Sequence, residues 1–220
     1  KGVLHLDLKP ENVQLGDYGE VILMDWGLAR LVSVPESDSE EPADSAIAWV
    51  ENQTSDGVRK GTPGYMAPEQ AAGKNSQKSF RTDVYALGAI LYSILTYCNP
   101  LEGDDVKKLL AATIRGAVVP PSRRTPDRPI PAGLEAVVLK AMDVQPEKRY
   151  AGAKELRNEV LAFLSGHATH AERATWVKKA FLMMKRHSIT SIAVAVAILL
   201  GLGTGIYAAI DYDLQHGDWI

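Results

Sequence analysis

The sequence has almost no cysteine. Cys98 stands alone in 220 residues, so no internal disulfide can form, and without a Cys/His cluster there is no zinc-type ligand set. The role of a small buried or half-buried apolar residue in a reducing compartment is expected for it. A massed basic surface is also lacking: 24 Lys+Arg against 27 Asp+Glu give a net charge of −3, with the basic residues spread out, so nucleic acid is not expected as a partner. The amino-terminal end has no basic start followed by an apolar run, so no signal peptide is expected there, and no methionine, so the chain is expected to be cut from something longer. Residues 33–57 contain no lysine or arginine, but seven acids (Glu36, Asp38, Glu40, Glu41, Asp44, Glu51, Asp56) and two prolines. Such a segment buries too little apolar surface to offset its ordering entropy, and a mobile loop is expected.

The remaining sequence is patterned. Two apolar runs, "VQL" at 13–15 and "VILM" at 21–24, flank "GDYGE", which predicts a short hairpin, and the polar corner "DWG" at 25–27 follows. Residues 82–98 place Val84, Leu87, Leu91 and Leu95 at helical steps, while Ala86, Ile90 and Ile94 fill the opposite side. A helix apolar nearly all round predicts burial in the middle of a domain. Amphipathic helices are expected at 104–116, 132–143 and 150–166, the last ending at Gly166, with the proline-rich stretch 120–131 as loop.

A basic stretch at 167–188 (Arg173, Lys178, Lys179, Lys185, Arg186) precedes Ile189 to Ile210, which runs without a charge. That stretch exceeds the roughly 18–20 residues needed to cross a bilayer core as a helix. With basic residues before it and Asp211, Asp213 and Asp218 after, the expected arrangement is a single-pass membrane protein, amino-terminal body cytoplasmic, tail 211–220 outside. The basic stretch, with Trp176 and Phe181, is expected to rest on anionic lipid. Gly201 and Gly205 form a small-xxx-small pair that would let two spans pack as a homodimer.

The chemistry concentrates in "HLDLKPENV", His5 to Val13. Phosphoryl transfer to a hydroxyl requires an acceptor for the proton, cations for the phosphate oxygens, and ligands that hold those cations. Asp7, Lys9, Asn12 and Asp25 offer these: Asp7 to face the hydroxyl, Lys9 to face the phosphate, Asn12 and Asp25 as the hard oxygen donors magnesium prefers. The hairpin would return Asp25 to the side of Asn12.

These residues resemble the eukaryotic-type protein kinases. "HLDLKPEN", "DWG" and "APE" at 67–69 are similar to the catalytic loop, metal-binding motif and activation-segment end, and the Lys9-Pro10-Glu11-Asn12 form resembles the Ser/Thr branch. "GTPGYMAPE", "DVYALG" at 83–88 and "EKRY" at 147–150 agree in order and rough spacing. The resemblance implies a mainly α fold, the helical carboxy-terminal lobe of a kinase with a short β-hairpin, over residues 1–166. A juxtamembrane segment (167–188), transmembrane helix (189–210) and extracytoplasmic tail (211–220) follow, as in a bacterial membrane-anchored Ser/Thr kinase. It implies ATP and Mg2+ as cofactors and a protein Ser/Thr hydroxyl as acceptor. Asp7 would be the catalytic base or hydroxyl orienter, Lys9 the phosphate partner, Asn12 and Asp25 the metal ligands. Thr62 would help shape the substrate site, Glu69 and Arg149 would form a buried ion pair, and Asp83 would brace the catalytic-loop backbone.

The sequence departs from that pattern in places. Leu6 stands where many such kinases carry an arginine that receives an activation-segment phosphate, so activity is expected not to depend strongly on phosphorylation within 33–62. Phosphatase treatment that abolishes activity of the full-length protein would refute this. Trp26 replaces the usual phenylalanine. The glycine-rich loop, strand lysine and helix glutamate of a complete kinase are not found in these 220 residues, and "GLGTG" at 201–205 lies inside the apolar run; the chain by itself is therefore expected to be inactive or nearly so. Rival readings are a non-catalytic pseudokinase-like membrane scaffold and an unrelated hydrolase using Asp7 and Asp25.

Overall fold

A computed structural model describes residues 2–32, 63–172, 182, 200 and 202–206. The acidic segment 33–57, Thr62, most of the basic stretch 167–188 and most of the 189–210 span lie outside the described residues. Within the span, Leu200 and residues 202–206 are helical, and among the described residues no helix is long and apolar enough to cross a membrane. By internal contacts the chain divides into Lys1–Ser165 with Thr169–Arg173, and Gly166–Ala168 with Ala174–Ile220. The first unit holds every strand and helix from Val3 to Leu164.

Four short strands open it. β1 (Val3–Leu4) pairs antiparallel with β4 (Arg30–Leu31), Val3 opposite Leu31. β2 (Val13–Leu15) pairs antiparallel with β3 (Val21–Leu23), Val13 opposite Leu23. The "GDYGE" connection closes on Gly16 N–H to Glu20 O at 2.8 Å, and Gly19 takes φ +85°, which explains a glycine at that corner. The hairpin continues one pair further, with Met24 N–H donating to Asn12 O at 2.9 Å, so Asp25 emerges directly after the partner of Asn12.

Six α-helices follow in this unit among the described residues: α1 (Pro68–Ala71), α2 (Phe80–Thr96), α3 (Val106–Arg115), α4 (Pro121–Arg124), α5 (Ala132–Ala141) and α6 (Ala153–Leu164). α2 starts at Ser79, whose Oγ accepts Arg81 N–H (3.3 Å) while Ser79 N–H donates to Thr82 Oγ1 (3.0 Å); two of the orphan donors at the helix start are thereby satisfied. α3 is capped by Asp105, whose carboxylate accepts Lys107 and Lys108 N–H and is held below the usual carboxylate range chiefly by the Lys108 backbone bond. It ends at Gly116 with φ +67°.

The core lies along α2. Tyr65, Ala67, Tyr85, Ala89, Tyr92, Val138 and Met142 form one buried cluster; Val84, Val137, Ala141, Tyr150 and Leu156 form a second. Each fully buried aliphatic or aromatic side chain contributes about 1.5–3 kcal/mol. The helix is not buried all round as its composition predicts: Ile94 is 60% exposed, and of the stripe Val84, Leu87, Leu91 and Leu95 only Val84 is fully buried, alongside Tyr85, Ala89 and Tyr92, while the three leucines are partly buried. The small residues decide this, because Gly88 lets α5 approach so closely that a Cβ there would sit 2.7 Å from Ala141 Cβ. The stretch 120–131, expected as loop, contains the single helical turn α4, with Pro121 at a first-turn position where its missing N–H is no loss.

Candidate active site

The segment between β1 and β2 is held by side chains from distant elements. Asp83, in the first turn of α2, accepts His5 N–H on Oδ2 (2.8 Å) and Leu6 N–H on Oδ1 (2.9 Å). Burial pushes its carboxyl above the ordinary range, against the lowering effect of those two bonds. His5 is buried. Its Nδ1 faces Asp7 N–H at 3.3 Å and its Nε2 faces Met24 O at 3.0 Å, so the backbone donor and the carbonyl acceptor select the tautomer protonated at Nε2. The imidazole also packs against the Trp26 ring, 4.7 Å between centroids, and Trp26 Nε1–H donates to Leu23 O. His5 thus ties the loop carrying Asp7 to the strand and corner carrying Asp25.

Asp7, Lys9 and Asn12 converge. Lys9 Nζ lies 2.9 Å and Asn12 Nδ2 3.0 Å from the same oxygen, Asp7 Oδ2, and Asn12 Nδ2 also donates to Asp7 O at 2.8 Å. The 3-10 turn Pro10–Asn12 brings Asn12 back, since Asn12 N–H donates to Lys9 O. Lys9 and Asn12 are buried, so these bonds are little screened by solvent. The chemistry gains in two ways. Asp7 Oδ2 is occupied while Oδ1 has no partner among the described residues. Lys9, with three N–H donors, retains two beyond the Asp7 bond.

Asp25 is exposed, takes φ +56°, and places Oδ1 3.3 Å from Gly27 N–H; the short polar side chain makes that left-handed conformation accessible. The donor set fits a hard divalent cation. Both Asn12 amide hydrogens point at Asp7, which leaves Asn12 Oδ1 unengaged among the described residues, and Asp25 offers a carboxylate engaged only with one backbone N–H. No group of three or more His, Cys, Asp or Glu suited to a metal occurs among the described residues. Two protein oxygens supplemented by water and phosphate is the manner in which magnesium is held, and such a site needs no larger cluster.

Thr62 lies outside the described residues, but the turn after it, Pro63–Tyr65, is in place. Tyr65 Oη pairs with Ser93 Oγ (3.0 Å) and donates to Asn99 Oδ1 (2.8 Å), and burial raises its pKa. Beneath it Glu69 and Arg149 form a bidentate pair, both N···O distances 2.8 Å, with side chains 2% and 0% exposed. Thr82 Oγ1–H donates to Glu69 Oε1 at 2.8 Å, so one hydroxyl both caps α2 and anchors the pair. Sequence reasoning assigned no role to His5, Gln70 or Thr82. Each adjoins a residue it did single out, and that adjacency was the available signal.

Comparison with known proteins places this geometry in context. The family model described as "Protein kinase domain" matches residues 1–161. A serine/threonine-protein kinase PknD of Chlamydia trachomatis serovar L2b is 38% identical over 194 residues, covering 86% of this chain and 20% of that protein. The PknD of Chlamydia felis is 38% identical over 169 residues (76% and 17%), and that of Chlamydia pneumoniae 36% over 167 (76% and 17%). The chain spans about a fifth of the length of these curated relatives.

Proposed function

Since this chain belongs to the protein kinase family, we propose that it serves a Ser/Thr protein kinase, transferring the γ-phosphate of Mg-ATP to a serine or threonine hydroxyl of a protein substrate. The observation that carries the reading is the convergence of Lys9 and Asn12 on one oxygen of Asp7, which leaves the other oxygen open to an incoming hydroxyl. Asp7 Oδ1 takes the hydroxyl proton as the oxygen–phosphorus bond forms and the bond from the γ-phosphorus to the leaving diphosphate breaks. The two remaining Lys9 N–H donors stabilise charge on the transferred phosphoryl oxygens. Asn12 Oδ1 and the Asp25 carboxylate would hold magnesium, which supplies charge neutralisation on the phosphates when bound. Thr62, just before the turn held by Tyr65, shapes the acceptor side.

The test is magnesium-dependent phosphate transfer to protein serine and threonine by the full-length protein, with Asp7→Asn as control. Loss of roughly 10²-fold or more in kcat is expected for the variant. A wild-type protein that binds partners but transfers nothing, or a variant that transfers as fast, overturns the reading in favour of a scaffold.

The uncharged run 189–210, flanked by basic residues before and acids after, supports single-pass anchorage with the kinase lobe in the cytoplasm, the basic segment on anionic lipid and a homodimer through Gly201 and Gly205. Recovery of the full-length protein in the soluble fraction after lysis would sink the anchorage, and Gly201→Leu without effect on self-association in a membrane reporter would sink the dimer.

A further inference from the structure

Leu6 stands immediately before Asp7 with φ +66°, in the left-handed region that a branched apolar residue rarely adopts, and its side chain is buried. The side chain offers no local hydrogen bond that would favour this conformation. What holds it is bonding on both sides of the residue. Leu6 N–H donates to Asp83 Oδ1 at 2.9 Å, and Leu6 O accepts from Gln70 Nε2 at 2.9 Å. Leu6 O and Asp7 N–H belong to one planar peptide unit, and Asp7 N–H points to His5 Nδ1 at 3.3 Å. Gln70 and His5 therefore grip that plane from its two ends. The orientation of the plane sets the direction in which the Asp7 side chain leaves the backbone.

Gln70 has a fixed base from which to do this. It lies on α1 next to Glu69, which Arg149 locks, and its Oε1 accepts Ala67 N–H at 3.3 Å, which turns the amide so that Nε2 faces Leu6. A contact between residues 64 apart in sequence thus joins the helix closing the activation segment to the peptide that aims the proton acceptor.

We infer that Gln70 is a positioning residue for phosphoryl transfer, acting through the Leu6–Asp7 peptide; the inference rests on the function proposed above. Without the Nε2–H donor, Leu6 O loses its partner, the residue relaxes from the left-handed region, and Asp7 turns away from the hydroxyl. Residues that hold the nucleotide are untouched, so the loss falls on kcat and not on KM for ATP.

The experiment compares the full-length wild type with Gln70→Glu and Gln70→Met in steady-state transfer, with thermal melts and amide hydrogen exchange at Leu6 and Asp7. Gln70→Glu retains an acceptor for Ala67 N–H but replaces the donor to Leu6 O by a carboxylate oxygen, whereas Gln70→Met removes both bonds without adding charge. Both variants are expected to lose roughly tenfold in kcat, to keep KM for ATP within about twofold, to remain folded at the assay temperature although their melts fall by the cost of a lost hydrogen bond, and to exchange the Asp7 amide faster. The inference is overturned if Gln70→Glu keeps wild-type kcat while Gln70→Met does not, because the side chain then only caps α1. It is equally overturned if the kcat loss follows the folded fraction. A wild type without transfer activity removes the functional reading alone; the positioning claim is then decided by exchange, and unchanged Leu6 and Asp7 amides in Gln70→Met overturn it.

Discussion

Asp83 shows how one carboxylate serves both fold and site. It takes two backbone N–H groups of the 5–6 segment, one on each oxygen, which no other side chain of its size can do with two acceptors at once. In Asp83→Asn one of those positions becomes an NH2 group facing an N–H, so a loss of about 1–3 kcal/mol is expected in denaturant melts. Its pH dependence has a definite sign. Burial raises the folded-state pKa above the ordinary carboxylate value, so between the two values the folded chain holds a proton that the unfolded chain has released. The contribution of this titration is fully present below the ordinary pKa and is lost as pH rises through the raised one. The stability gap between wild type and Asp83→Asn should therefore be widest at the acid end and narrow towards neutrality. A gap that widens with rising pH would show that the two backbone bonds outweigh desolvation. Asp83 was legible in the sequence through the motif it begins, but the strain it holds at Leu6 was not: a positive φ at a leucine runs against local preference and is imposed only by partners far along the chain.

Among the elements, α2 sets the packing, and the reason lies in its smallest residue. A Cβ at Gly88 would meet Ala141 Cβ at 2.7 Å and Met142 Cγ at 3.0 Å, both on or beside α5. Gly88→Ala gains helix propensity of up to about 1 kcal/mol but overpacks a contact where about 1–3 kcal/mol is the usual cost. The overpacking outweighs the gained propensity, and a net loss of about 1 kcal/mol is expected in thermal or urea melts, smaller when Ala141→Gly is combined with it. A stabilised Gly88→Ala would mean that the two helices separate freely. Hydrophobic periodicity located this helix to within two residues at each end, because its apolar content is dense. It did not identify the buried stripe, since leucines dominate the pattern while closeness of approach is set by Gly88 and Ala89. The hairpin was legible for the opposite reason, its turn chemistry being local. The α4 turn was missed because prolines read as loop even where a first-turn position accommodates them.

At the scale of the whole lobe, Arg149 joins segments that the chain keeps far apart. Its five N–H donors all have acceptors: Nε–H to Asp143 O (2.7 Å), Nη1 to Glu69 Oε1 (2.8 Å) and Arg81 O (3.0 Å), Nη2 to Glu69 Oε2 (2.8 Å) and Val144 O (3.2 Å). The guanidinium also lies over the Tyr85 ring, 5.1 Å from its centroid, at the centre of the core. Three places in the chain, α1, the start of α2 and the 143–144 turn, therefore depend on one planar group. Glu69→Ala strands that cation in the interior, and a loss of about 3–5 kcal/mol is expected. Arg149→Lys keeps the charge but presents a compact ammonium with three donors, which cannot form the two parallel bonds to Glu69 while also reaching three carbonyls. It should lose nearly as much as Glu69→Ala, whereas Glu69→Leu combined with Arg149→Met, which leaves no buried charge, should recover a large part of the loss. Equilibrium urea unfolding of the four proteins separates these outcomes. If Arg149→Lys unfolds at the wild-type midpoint, charge alone carries the contact. The donor geometry would then have no part in holding the activation-segment end beneath the site.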